Sequence, residues 1–415
     1  MPCSFLLFYG ESSSRMDSTL QPLYPPELPA DLRLILEAPY PRFSAAEMER
    51  RRKMITLLME AASVDHLLLY GANRMGNAVP YLTHWPVTTE AACILTPGER
   101  DKMFIQYHNH VALAQRIASE ADVEWGGDFG IATAIAELER RGAKKDRVGL
   151  IGPLGYRLYA QLSERFGKIA DLGGAFMQKR LIKSEEELRW YRLGAFLSDR
   201  GLTALRNAIR PGATERELGA AIEAAYLPYG AINVIHFIGT TPMANPDCRV
   251  PRQFPSTRRL EQGDVVFTEI SAAFWDYSGQ VLRSFAVDAE PTPLYRDLHA
   301  AADAAFDAIA ALLREGATPA QVLAATKIIE EMGFTTDDDV MHGYGGGYLP
   351  PIIGSTTRSS GKLPDLTFTA GMMVVIQPNV TTHDGKAGVQ TGECVLVTKT
   401  GIERLHSVPR GFLRV

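Results

Sequence analysis

A chain of 415 residues exceeds one ordinary domain, so two are expected. With 46% hydrophobic and 22% charged residues, it can fill two cores. A net charge of −5 leaves no basic footprint for nucleic acid or an anionic membrane. The four cysteines, Cys3, Cys93, Cys248 and Cys394, form neither a CxxC pair nor a dense disulfide spacing, which points to a reduced, cytoplasmic setting.

The opening "MPCSFLLFYGESSSRMDSTLQ" has a short apolar patch without a basic flank or a clear cleavage site, so residues 1–43 read as a flexible tail. Met16 opens a polar segment and is an alternative translation start. No apolar run reaches the ~20 residues of a spanning helix. From residue 44 to 180 the sequence alternates helical and strand patterns. "FSAAEMERRRKMITLLMEAASV" has helical periodicity with Ser44 as N-cap. "DHLLLYG", "AACILTP", "KMFIQY" and "RVGLIG" read as short buried strands, making an α/β domain.

"MQKRLIKSEEELRWYRLGAFLSDRGLTAL" opens a long helix and marks the junction with a second domain, residues 181–415. That domain contains a weak repeat. "IRPGATERELGAAIEAAYLPYGA" and "LREGATPAQVLAATKIIEEMGF" each place a Thr three residues before Glu217 or Gln321, the spacing of a capping box. Strand-rich sequence follows each copy. Two related α+β halves about a pseudo-twofold, with a ligand cleft between them, is the expected architecture.

The run "VMHGYGGGYLPP" holds four glycines between Gly343 and Gly347. A phosphate-loop reading fails, because no Lys-Ser/Thr follows and Pro350-Pro351 replaces a helix. Polar residues stand at strand positions where a core would be apolar: Glu269, Gln280, Gln377 and Gln390. Leaving such groups buried and unsatisfied costs ~1–3 kcal/mol each, which favours a substrate cage over a purely structural role. Glu269 is the candidate general base, since burial among amides raises its pKa. His342 is the candidate acid/base partner. Arg283 is a candidate clamp for a substrate carboxylate, or else the ion-pair partner of Glu269. Tyr344 and Tyr348 are candidate substrate-binding hydroxyls or covers of the cleft. Cys248 in "NPDCRVPR" reads as an inert loop cysteine. His108 and His110 read as surface or interface residues on a strand, and the sequon at Asn379 as chance.

The landmarks "LIKSEEEL", "IRPGATEREL", "LEQGDVVFTEI", "GQVLRSF", "HGYGGG", "FTAGMMVVIQPNV" and "VLVTKTGIERL" resemble, in order and spacing, the creatinase/prolidase/aminopeptidase P group of peptidase family M24, with its pita-bread fold. The resemblance runs from about Lys183 to the end, and more weakly over the first domain. In metallopeptidases of that family two Asp, one His and two Glu hold two divalent metals. Carried over by position, these ligands fall on Glu269, Gln280, Gly346, Gln377 and Gly392. One carboxylate and two neutral amides cannot compensate two dications or complete their coordination, so no metal or other cofactor is expected. Nor do His342 or Glu393, close to two of the lost ligands, replace them, because Glu393 is expected to face away from the cleft. Creatinase resembles this family yet works without metal, but its histidine falls near Ala244 and its glutamates on Leu282 and Gln377.

The resemblance therefore implies a creatinase-like, metal-independent hydrolase acting on a C–N bond of a small polar, carboxylate-bearing molecule. The alternatives are a catalytically silent relative that binds a peptide or metabolite, and a lyase on the same fold. It also implies a homodimer.

Overall fold

The computed structural model describes residues 28–127, 130–345 and 348–415. The first domain is built on a six-stranded mixed sheet. Its spatial order is Ala121–Trp125, Asp101–Ile105, Glu90–Leu95, His66–Ala72, Val148–Ile151 and Ala170–Asp171. The central strand His66–Ala72 is apolar at nearly every position because both its faces are covered. Leu67 and Leu69 join the core beneath the helix Ala45–Ala61, whereas Leu68 and Tyr70 join the opposite one.

The tail expected over residues 1–43 needs correction where it is described. Ala30–Glu37 is a helix, and Leu28 and Leu32 are buried in the core of the second domain. Residues 1–27 lie outside the described part.

The second domain holds a nine-stranded sheet, whose continuous path runs Tyr348–Ile353, Met341–Tyr344, Met373–Ile376, Gly392–Val397, Tyr277–Ala286, Asp264–Phe274, Ile232–Pro242. The helices Glu185–Ala208 and Glu215–Ala224 pack into one core, and Pro293–Leu312 and Pro319–Ala325 into another. The helix starts follow the sequence. Ser184 with Glu187, Thr214 with Glu217 and Thr318 with Gln321 each form a reciprocal capping box, satisfying backbone donors that a helix start leaves open.

One turn sets the register on which the site depends. Trp275 and Asp276, with φ of 50° and 69°, form a two-residue hairpin loop with both central residues left-handed, which matches the twist of paired strands. It pairs Phe274 with Tyr277, Ser271 with Gln280 and Glu269 with Leu282.

The two domains are tied together by polar contacts, one exposed and one buried. Ser44 donates its backbone N–H to Glu186. Arg51, almost fully buried, bonds Glu47 and donates to the Tyr277 hydroxyl at 3.0 Å. Its guanidinium lies 3.8 Å from the Phe43 ring centroid and 4.2 Å from that of Tyr81.

Candidate active site

Side chains alternate across a strand, so the hairpin register puts Glu269, Ser271, Ser278 and Gln280 on one face. Gln280 Nε2 donates to Glu269 Oε1 and, at 3.2 Å, to Gln377 Oε1. Gln377 Nε2 turns to the Asp339 carbonyl and carboxylate at 3.4 and 3.5 Å. Glu269 and Gln280, from paired strands, and Gln377, just past the end of Met373–Ile376, thus meet in one buried cluster.

Sequence reasoning missed the acid run Asp337-Asp338-Asp339, which reads as a solvated loop. Asp339 is buried, and its backbone N–H donates to Asp338 Oδ1 at 2.8 Å. Burial, together with the Asp338 and Glu269 carboxylates, pushes Asp339 up to about 8. Glu269, 5% exposed, is pushed up to about 8 by burial and by the charge of Asp338. Two carboxyl groups that would ordinarily be ionised thus titrate near neutrality, because an ionised form here is both dehydrated and repelled.

His342 lies on the strand Met341–Tyr344, fully buried. Its Nδ1 is 2.9 Å from the Gly343 carbonyl. A carbonyl only accepts, so Nδ1 carries the proton and Nε2 presents a lone pair. Nε2 has no hydrogen-bond partner. Burial pushes this histidine down to about 4, so near neutral pH it is an acceptor or base and not a proton donor. Tyr348 stacks on its ring at 3.8 Å between centroids, remaining 46% exposed. Its ring covers the histidine, while its hydroxyl stands close enough to the Asp339, Glu269 and Asp338 carboxylates and to the Gln377 side chain to feel them.

Two expectations are corrected. Arg283 does not enter the cleft: it pairs across from Thr268, on the face opposite Glu269. Its guanidinium bonds Glu393 Oε2 at 2.6 Å and the carbonyls of Leu282, Gly392, Val408 and Pro409. A fork so fully occupied has no donor left for a substrate carboxylate. Its ion-pair partner is Glu393, shared with Arg404, rather than Glu269. Tyr344 is the second correction. Its buried hydroxyl sits 2.6 Å from Ser278 Oγ and donates to Ser271 Oγ at 3.2 Å, cross-linking the sheet instead of facing a ligand.

Gln390 is buried and makes no hydrogen bond to the Glu269 cluster; its backbone pairs with Ser284, and its Oε1 has no partner. Cys248 is buried and held on the Val250 carbonyl, with its thiol pushed up by burial. His108 and His110 lie on a 3₁₀ turn, not a strand. Asn379 is buried, closed to a glycan.

The glycine run now has a partial physical account. A Cβ on Gly343 would lie 2.2 Å from the Pro350 carbonyl oxygen, so the two strands approach too closely for any other residue. Gly346 lies outside the described residues. Gly392 is equally constrained, since a Cβ there would stand 2.3 Å from the Ile376 carbonyl oxygen. Among the described residues no group of three or more His, Cys, Asp or Glu is placed to hold a metal ion.

The model of metallopeptidase family M24 matches residues 190–399. The chain belongs to metallopeptidase family M24. Over 395 residues it is 26% identical to an uncharacterised hydrolase/peptidase, y4tL, of Sinorhizobium fredii, covering 89% of this chain and 94% of that protein. It is 25% identical over 274 residues to an Xaa-Pro dipeptidase of Pyrococcus furiosus, across 65% of this chain and 76% of that one. Among solved structures, the prolidase of Thermococcus sibiricus superposes with a TM-score of 0.76 at 18% identity, covering 90% of this chain and 100% of that chain. Dipeptidase PepE of Mycobacterium ulcerans gives 0.75 at 20% identity, covering 90% and 99%. The fold is the α/β domain plus pita-bread domain of these M24 proteins, and none of the described helices is long and apolar enough to cross a membrane.

The residues of this M24 chain do not fit the two metal ions of the family's peptidases. At two of the positions that the resemblance gives to metal ligands stand amides, and Gln280 turns its N–H toward the Glu269 and Gln377 oxygens. Lone pairs that would face a cation therefore accept from an amide. At Gly392 the backbone leaves no space for a side chain.

Proposed function

We propose that this M24 protein is a metal-independent hydrolase that cleaves a C–N bond of a small polar substrate rich in N–H groups. The observation carrying this reading is Glu269, a carboxyl titrating near neutrality with its oxygen oriented by Gln280. Ionised, Glu269 takes a proton from water as the water oxygen bonds to the substrate carbonyl carbon. When the C–N bond breaks, the same proton passes to the departing nitrogen, so atoms and charge balance without another reactant. Gln377 Nε2, held at 3.4 and 3.5 Å, is the donor that can turn toward the developing oxyanion.

The buried acceptors Gln280 Oε1 and His342 Nε2 lack partners, which supports a substrate that donates N–H groups, such as an amine or amide. The substrate carboxylate expected from sequence loses its support with Arg283 committed elsewhere. The same network supports one alternative, a silent binder, because Gln280 already spends both amide hydrogens within the protein. We also propose a cytoplasmic homodimer, to be tested by light scattering on purified protein.

The experiment is turnover of chelator-treated protein on dipeptides, creatine-like and ectoine-like amides, with Glu269→Gln as control. Hydrolysis lost in Glu269→Gln supports the enzyme. Binding without turnover assigns the silent alternative, and an alkene product without water uptake assigns a lyase.

A further inference from the structure

A cavity lies at the junction of the two domains, with a volume of about 700 Å³ and without Glu269, Gln280 or Gln377 in its lining. That volume is within the range that encloses a small organic ligand. The first domain contributes Tyr81, His84 and Val87, and the second contributes Trp190, Val234 and Trp275. Its charged lining residues are Arg74, Arg180 and Asp276, two cations against one carboxylate.

Arg180 is the unusual member. It is 7% exposed, and its Nη1 finds no hydrogen-bond partner. It belongs to none of the ion pairs among the described residues, although its guanidinium lies 5.0 Å from the Tyr81 ring centroid and 5.5 Å from that of Phe176. A buried guanidinium with no ion pair in contact is costly, and the ring faces, together with the Asp276 carboxylate that feels its charge, offset only part of that cost.

His84 adds a second orphan. Its Nε2 accepts the Phe43 backbone N–H at 3.1 Å, which forces the ring proton onto Nδ1. That Nδ1 is buried without a partner. Burial and the charges of Arg42 and Arg51 push His84 down to about 3, so the ring stays neutral and the tautomer stands. Both unsatisfied groups are therefore donors. Around them the wall is aromatic and aliphatic.

We propose that this interdomain cavity binds an apolar monocarboxylic acid, with the Arg180 guanidinium on the carboxylate, the His84 Nδ1–H on a second ligand oxygen, and the aromatic wall on the apolar body. One net positive charge fits a monoanion. The site is separate from the proposed hydrolytic centre, and its occupancy needs no turnover. Ser278 lies on its wall and also bonds the Tyr344 hydroxyl within the sheet, so the ligand sits beside the catalytic face without entering it.

Trp190 and Trp275, two of the four tryptophans, report binding by fluorescence. The probes are N-acetyl-phenylalanine, its uncharged amide, hydrocinnamate, and a tetrapeptide ending in phenylalanine. The acid should bind roughly tenfold or more tighter than the amide. Arg180→Gln should remove that difference while leaving amide binding unchanged. Val234→Asp, at a position 47% exposed and so tolerant of substitution, should weaken the acid roughly tenfold by adding a like charge. Hydrocinnamate equal to the blocked amino acid would remove His84 from the proposal. Tetrapeptide binding would assign a peptide C-terminus as ligand, and its failure a free acid. Equal affinity for acid and amide, no response to any probe at millimolar concentration, or an unchanged acid affinity in Val234→Asp would overturn the site. All titrations repeat in Glu269→Gln, so a failed hydrolase reading leaves this result intact.

Discussion

Replacing Glu269 by glutamine should stabilise the protein, and by an amount that depends on pH. The carboxyl ordinarily titrates at 4.5 but in the folded chain at about 8. The folded state therefore holds this proton more tightly than the unfolded state. Its contribution is fully present below 4.5 and is lost as pH rises through about 8, because ∂ΔG/∂pH follows the proton difference. At ~1.4 kcal/mol per pH unit, the loss approaches a ceiling of roughly 5 kcal/mol above the folded value, and is on the order of 3 kcal/mol near pH 7. Glutamine keeps an oxygen to accept from Gln280 and cannot ionise. Glu269→Gln should then match the parent within ~1 kcal/mol near pH 5 and exceed it by ~2–4 kcal/mol near pH 8. Urea unfolding of both proteins across that range measures the difference. A gain that does not grow with pH, or a loss near pH 8, would refute the claim that this carboxyl is dehydrated and unpaired by cations.

Other outcomes follow from the same contacts. Arg283→Met should destabilise by ~3–5 kcal/mol, since Glu393 loses one of its two cations in a buried site, while KM stays unchanged; a raised KM at full stability would restore the clamp. Gly392→Ala should cost several kcal/mol, on the order of what overpacking costs, because its Cβ would meet the Ile376 carbonyl; a neutral result in thermal unfolding would contradict the close approach. With Glu269 as base, kcat/KM should rise with pH and level off above about 8; a fall across that range would make it the acid instead.

Much of the fold was legible because it rests on local rules. Thr214 and Thr318 cap their helices as their spacing to Glu217 and Gln321 indicates. The alternation of a strand also carried Gln280 and Glu393 to their faces. The same alternation opposed Arg283 as a clamp, since it stands three residues from Gln280 and so on the other face. Asp339 was out of reach: three consecutive aspartates read as solvated, and only the return of the chain beneath Gln377 buries the last of them. The cavity around Arg180 was equally hidden, as its wall gathers residues from Phe43 to Ser278 that meet only when the domains dock. The absence of hydrogen-bond partners for Arg180 Nη1 and His84 Nδ1 is a property of that docking, which no local pattern records.

The most direct test of metal-free hydrolysis is turnover measured together with metal content after exhaustive chelation. Protein carrying well under one metal ion per chain should cleave its substrate at an undiminished rate, with no gain from added manganese, cobalt or zinc. Activity that vanishes on chelation and returns with two bound ions per chain would contradict it.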